Sequence, residues 1–187
     1  VSALDSMLRR RSHSKVGSTA PSHEELLRLV EAAGTVADHS SLRPWRLIEL
    51  RGDARDVLGA ALAEAEGASA GGREKIIAKV RRAPLLIAIV AVYRPSGKVP
   101  HWEQEAVASG VAHALSLLLD EAGWGVLWRT GSQTRHDAVR EAHRLKKNEQ
   151  LLGWLYVGDV PGGGSGSDAS KPLRRKLVDP ADHLSSL

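Results

Sequence analysis

The sequence predicts a domain of mixed helix and strand, α+β or α/β, and three observations lead there. Residues 85–92, Leu-Leu-Ile-Ala-Ile-Val-Ala-Val, are wholly apolar and rich in β-branched side chains, which suits a strand covered on both faces and central in its sheet. Residues 101–122 hold no Asp, Glu, Lys or Arg between Ala106 and Leu119 and read as a long helix, apolar on nearly every face. Around these two, helical and strand patterns alternate irregularly along 187 residues, a length for one domain whose 42% hydrophobic content allows a sizeable core.

The other elements follow in chain order. Residues 3–9 read as a short helix with Leu4, Met7 and Leu8 on one side, running into a polar stretch to Gly17. Ser22 and Glu25 have the spacing of a capping box ahead of Leu26, Leu27, Leu29, Val30 and Ala33, and Gly34 stops that helix. A polar loop covers residues 35–43. Pro44 disfavours helix at Arg43, so residues 45–50 read as a strand, closed by Gly52 and followed by a helix from about Asp53. Residues 67–72 are a small-residue loop and 73–82 a short basic helix ended by Pro84. Beyond the long helix come a strand at 125–128, a helix near 136–145 and a strand at 151–157. Residues 161–170 are Gly/Ser-rich and read as a linker, which divides the chain into a domain at 1–160 and a tail at 161–187. Leu173, Val178 and Leu184 give that tail something to dock with, on its own body or a partner chain.

Composition excludes several chemistries. The absence of cysteine removes disulfides, thiolate metal sites and cysteine nucleophiles. The charge-free stretch of the long helix is shorter than the roughly 20 residues a bilayer crossing needs, so no membrane association is expected. The amino terminus lacks an apolar signal core, and a cytoplasmic location is expected. Net charge is +4, with cations clustered at residues 9–15, 73–82 and 171–176. They lack the interleaved aromatics of a strand-stacking surface, so a solvated face or a small anionic ligand is a better reading than nucleic acid. His101 and His113 stand twelve apart with no third ligand at metal spacing, and no metal is expected. Residues 162–166 are glycine-rich but open no amphipathic helix, so they make neither a dinucleotide fingerprint nor a P-loop.

Few residues carry chemistry. Arg9, Arg10, Arg11 and Ser12 follow the first helix and offer forked guanidinium donors and a hydroxyl of the kind that holds phosphate; three arginines there also suit the negative end of a helix dipole. Trp128, Arg129, Thr130 and Gly131 leave an interior strand, a frequent ligand position, although Arg129 is equally well read as packing its stem on Trp128. Gly123 and Gly125 allow close backbone approach or serve as a helix stop and a turn. His39, in the loop before Pro44 and Trp45, is an acid, base or ligand donor if it is not simply a loop histidine. Glu103 and Glu105 suit the positive end of the long helix's dipole.

Taken in order, Arg10-Arg11-Ser12, Ser41-Leu42-Arg43-Pro44-Trp45, Lys98-Val99-Pro100 with Trp102-Glu103-Gln104, and Trp128-Arg129-Thr130-Gly131 resemble the nitroreductase family, most nearly its short bacterial branch, over about residues 3–160. The resemblance implies an α+β fold with a central mixed sheet flanked by helices. It also implies an intertwined homodimer cored by the long helix, with FMN in clefts at the subunit interface. The activity implied is an NAD(P)H oxidoreductase that passes hydride through FMN to nitroaromatic, quinone or similar small-molecule acceptors by a ping-pong scheme. A flavin-sequestering protein of the same fold, with little turnover, is the alternative. Carried over by position, Arg10, Arg11, Ser12, Trp128, Arg129 and Thr130 would bind the cofactor. His39 would reach it from the partner subunit, joined by Thr35, and residues 118–123 match a stretch associated with the nicotinamide cofactor. No protein acid or base is required as a catalytic residue. The chain departs from the family pattern at Ser14, Thr35, Ser41 and Arg43, which points to weaker contacts with the flavin ring.

Overall fold

The computed structural model describes residues 2–161 and 178–186. Ten elements build the domain. Helix α1 (Ala3–Arg9) opens on a reciprocal cap, Ser2 accepting from the Asp5 amide and the Asp5 carboxylate accepting from the Ser2 amide. Then come α2 (His23–Ala33), β1 (Trp45–Leu50), α3 (Ala54–Ala65), α4 (Ala70–Val80), β2 (Leu85–Val92), α5 (His101–Glu121), β3 (Trp124–Arg129), α6 (Asp137–Ala142) and β4 (Glu149–Asp159).

The four strands form one sheet in the order β1-β2-β4-β3. Among the described residues every pairing is antiparallel, which corrects the expected mixed sheet. The physical reason lies in the last strand. The crossover through α5 does leave β2 and β3 running in the same direction, but β4 inserts between them and opposes both, so no parallel ladder forms.

All eight residues of β2 are buried, as its apolar run predicts. Leu86, Ala88, Val90 and Val92 face a layer of α3, α4 and α6 through Leu58, Val80 and Val139. Leu85, Ile87 and Ile89 face α2 and α5 through Leu26, Val111, Leu115 and Leu119. Each fully buried Leu or Ile contributes about 1.5–3 kcal/mol, so this strand anchors both cores. A bulge between Ile89 and Val90 sets Gly153 opposite Ile89 and Leu151 opposite Val90, leaving Leu152 as the extra residue of β4. The bulge lets Leu151 and Trp154 share one face although they are three apart.

Several local expectations shift. Ser22 accepts from the Glu25 amide at 3.1 Å, yet the Glu25 carboxylate does not reach back; it accepts from the Trp124 indole at 2.8 Å and ties α2 to β3. Helix α4 begins three residues before the basic run, because Ser69 caps it and the two glycines that suggested loop lie inside its first turn. Helix α5 buries Val107, Ala108, Val111, Ala112, Leu115 and Leu119 on one side, while Trp102, Ala106 and His113 stand exposed on the other. Among the described residues no helix is long and apolar enough to cross a membrane. The predicted linker lies outside the described residues apart from Pro161; Val178 and Leu184 in the tail are exposed.

Candidate functional site

The free edge of β3 is where the predicted residues begin to meet. After α1 the chain runs along this edge, the His13 amide donating to the Val126 carbonyl at 2.9 Å. It then wraps the end of β4, where Gly17 N–H donates to Asp159 O at 2.7 Å and Asp159 N–H to Thr19 O at 2.9 Å. Two glycines make this approach possible. A Cβ at Gly125 or at Gly158 would lie 2.9 Å from a methyl of Val16, closer than real side chains come. Gly125 therefore serves close backbone approach, one of its two readings from sequence, while Gly123, at φ +90°, is the helix stop.

Strand alternation then separates Trp128 from Arg129. Leu127 packs against the α3, α4 and α6 layer and Arg129 projects to that side, its guanidinium 5.0 Å from the centre of the Tyr156 ring. Trp128 packs on the α2 and α5 side, edge-on to His113 with ring centres 4.9 Å apart. The two residues therefore cannot both wall one cleft on a single face of the sheet. Gly153 is pressed between them: a Cβ there would lie 2.8 Å from Trp128 Nε1 and collide with the Arg129 carbonyl.

Arg129 opens into a cavity of about 450 Å³. Its floor is apolar, made by Val16, Ala83, Leu127, Tyr156 and Pro161, and its remaining walls are His13, Ser14, Lys15, Lys79 and Arg82. Arg129 Nε and His13 Nδ1 are buried with no hydrogen-bond partner. Burial pushes the His13 imidazole below its ordinary value, and Arg11 adds to that. A cavity of this size, with an apolar floor and a few convergent polar groups, is a natural ligand site.

The arginine run approaches this cavity without lining it. Arg10 caps α1, its amide donating to Ser6 O at 2.8 Å; Arg11 Nε donates to His13 Nε2 at 3.3 Å; and Ser12 is exposed. Asp120, half-buried at the end of α5, sits in the field of His13, Arg10, Arg11 and Arg9, but its own burial outweighs them and raises its pKa. Ser6 donates to Glu121, fixing α1 to the same end of α5. Thr130 is exposed just past β3.

Thr35 and His39 lie elsewhere in the chain. Thr35 Oγ1 donates to Ala32 O at 2.8 Å and closes the end of α2. His39 Nδ1 is 2.9 Å from Glu103 Oε2, beside a second cavity of about 440 Å³ bordered by Val36, Trp102, Ala106 and Gly110. Glu103 and His113 are ten residues apart on α5, about 15 Å at 1.5 Å per residue, so the His39–Glu103 pair sits well along the helix from Trp128, while the cavity extends towards it as far as Gly110. The loop around His39 is unusual. Ser40, Ser41 and Arg43 all have positive φ, and Asp38 holds the turn by accepting from the Arg43 amide at 2.7 Å.

Sequence reasoning missed three groups. Lys79 and Arg82 appeared only as part of a basic helix, since nothing in their spacing shows that the end of α4 faces residues 13–16. Tyr156 was one apolar residue among many in its strand. Glu103 and Glu105 were read as dipole partners of α5, yet they bond to His39 and to the Tyr93 hydroxyl. Among the described residues no group of three His, Asp or Glu is placed to hold a metal ion.

The comparisons with known proteins agree with this architecture. Residues 7–159 match the model of the nitroreductase family. The chain is 36% identical over 160 residues to the Escherichia coli (strain K12) protein named "Putative NAD(P)H nitroreductase YdjA", covering 83% of this chain and 87% of that one. It is 30% identical, with the same coverage, to a protein from Haemophilus influenzae (strain ATCC 51907 / DSM 11121 / KW20 / Rd) named "Putative NAD(P)H nitroreductase". Among solved structures, a nitroreductase-like family protein from Bacillus cereus superposes with a TM-score of 0.83 at 19% identity, covering 100% of this chain and 96% of that one. The FMN and NADPH-dependent nitroreductase NfnB of Sphigopyxis sp. strain HMH superposes with a TM-score of 0.70 at 18% identity, over 100% and 99%. At those identities the likeness concerns the fold, but the family match spans most of the chain, and so the chain belongs to the nitroreductase family of oxidoreductases.

Proposed function

We propose that the protein is an FMN-dependent NAD(P)H oxidoreductase acting on nitroaromatic, quinone or similar small acceptors. The observation that carries the reading is Arg129. Its stem leaves the end of β3 over the Tyr156 ring, and its Nε is buried without a partner at a cavity of about 450 Å³. An unpartnered buried guanidinium nitrogen costs free energy unless a ligand acceptor completes it. The donor set fits a flat, phosphorylated group: an apolar and aromatic floor for a ring system, with the Arg129 guanidinium in the cavity and Arg10, Arg11 and Ser12 beside it for anionic oxygens.

Bound FMN would supply two-electron chemistry, taking hydride from NAD(P)H and returning it to an acceptor in a ping-pong scheme. The chain's own part is to hold and orient. Arg10, Arg11 and Ser12 would bind the phosphate and ribityl chain from the β3 edge. Arg129 directs a donor into the cavity and Tyr156 fixes the guanidinium plane from below. Trp128 and Thr130 border the strand end, Trp128 from the α5 side. His39 pairs with Glu103, ten residues before the His113 that meets Trp128, and Thr35 and His39 would reach the cofactor from a second copy facing α5. Leu4, Met7, Leu8 and Trp102 are exposed, Trp102 at 69%, an apolar surface for such a homodimer to cover.

Spectroscopy of the purified protein tests the reading. Flavin absorption that bleaches anaerobically with NADPH or NADH and returns on adding a nitroarene or quinone is the expected result. Flavin that binds and never bleaches points to sequestration instead. Arg129→Ala should weaken FMN retention about tenfold or more with the fold intact by circular dichroism. An unchanged FMN affinity removes the role assigned to Arg129.

A further inference from the structure

The mouth of the Arg129 cavity has a charge pattern that the flavin reading does not use up. Lys15 comes from the segment on the β3 edge, Lys79 from the last turn of α4, and Arg82 from just beyond it; all three are exposed and line the same cavity as Arg129. Among the described residues their side chains have no hydrogen bond or ion pair to protein, and no Asp or Glu lines the cavity. The nearby carboxylates are already engaged: Asp56 with Arg81, and Asp159 with Thr19. Four cations thus ring an apolar floor of Leu127, Tyr156 and Ala83.

A phosphomonoester carries about −1.5 to −2 charges near neutral pH, so one FMN phosphate cannot neutralise this ring. It has, besides, its own candidate partners in Arg10, Arg11 and Ser12. An excess of like charge around a low-dielectric recess focuses the field outward and concentrates anions at the opening. Resting on the flavin reading, with the flavin ring on the apolar floor, we infer that this oxidoreductase selects acceptors that are aromatic anions, the acceptor ring stacking on the flavin and a carboxylate or sulfonate meeting Lys15, Lys79 and Arg82 at the mouth. For a nitroarene the balance is a hydride from NAD(P)H and one proton from solvent. The nitro group loses one oxygen as water, giving the nitroso compound and NAD(P)+.

The test compares kcat/KM for 4-nitrobenzoate and for neutral 4-nitrobenzyl alcohol in the FMN-loaded protein, with bound flavin measured by absorbance in every sample. The ratio of the two cancels differences in flavin content. In the Lys15→Glu, Lys79→Glu double variant the anion-to-neutral ratio should fall on the order of tenfold, and 0.5 M salt should lower it in the unmodified protein. The milder Lys15→Gln, Lys79→Gln pair should lower it about threefold, which keeps the test open if the charge reversal disturbs folding. A ratio that does not move in a flavin-loaded, active variant overturns the inference while leaving the flavin reading standing. If the protein binds no FMN, that reading fails, and calorimetric titration with 4-nitrobenzoate decides the cavity separately. Binding that weakens in the variants sustains an anion site, and equal or absent binding removes it.

Discussion

Gly153 shows how much one residue can hold. Its φ of +136° is a conformation side chains rarely adopt, and the space a Cβ would need is taken by the Arg129 carbonyl and the Trp128 indole. Gly153→Ala should therefore lose at least the roughly 1–3 kcal/mol such a backbone costs, read as a lower urea midpoint, and should also displace Arg129 and reduce FMN retention. A variant as stable as the parent would mean that the bulge yields freely. From sequence, Gly153 was only a glycine inside a strand. What it presses against is set by the register of β3 on β4, which no local pattern reveals. Arg129 was legible because a cation at a strand end is informative by itself; Lys79 and Tyr156 were not, since their meaning comes from elements about 75 residues apart that share one cavity.

At the scale of elements, the end of α6 and the middle of β4 are joined through His143. The imidazole is buried, its Nδ1 lies 2.7 Å from the Val139 carbonyl, and its Nε2 accepts from the Trp154 indole N–H at 2.9 Å. Both contacts suit the neutral ring, and burial holds its pKa below the ordinary 6.5. The sign follows. Above pH 6.5 both folded and unfolded states are neutral here and the contribution is fully present; below it the unfolded chain takes a proton that the folded one resists, and stability is lost. Urea midpoints should fall between pH 7.5 and 5.5, and His143→Gln should flatten that slope. Glu49, Asp56 and Glu149, each held below its ordinary range by arginine hydrogen bonds, respond at more acid pH. Elements of this kind were largely legible. β2 announced itself by eight apolar residues and α5 by its charge-free length, because burial on both faces leaves no polar period to disguise them. Ends were less so: β4 runs two residues further at each end than its apolar run, since Glu149 is buried by a paired hydrogen bond from Arg46 and so does not stop the strand.

At the scale of the molecule, the exposed side of α5 carries the proposal of a homodimer. Trp102, Ala106 and Gly110 border the cavity beside His39, so a charge placed there should prevent close packing of a second chain. Ala106→Glu is expected to shift the protein from dimer to monomer in light scattering and to release FMN together with the partner. A variant that stays dimeric and flavin-loaded removes this face from the interface. The helix's lack of charge is what suggests such a face; the sheet's order was not legible, because strand adjacency is decided by long-range packing after the elements have formed. That order has a consequence for how the chain comes to exist. The strand that sits between β2 and β3 is the last to leave the ribosome, so during synthesis β2 waits with one backbone edge bare and its apolar side chains unmatched. The sheet cannot close before β4 is made, and a nascent chain that stalls before Glu149 is the form most exposed to chaperone capture or aggregation.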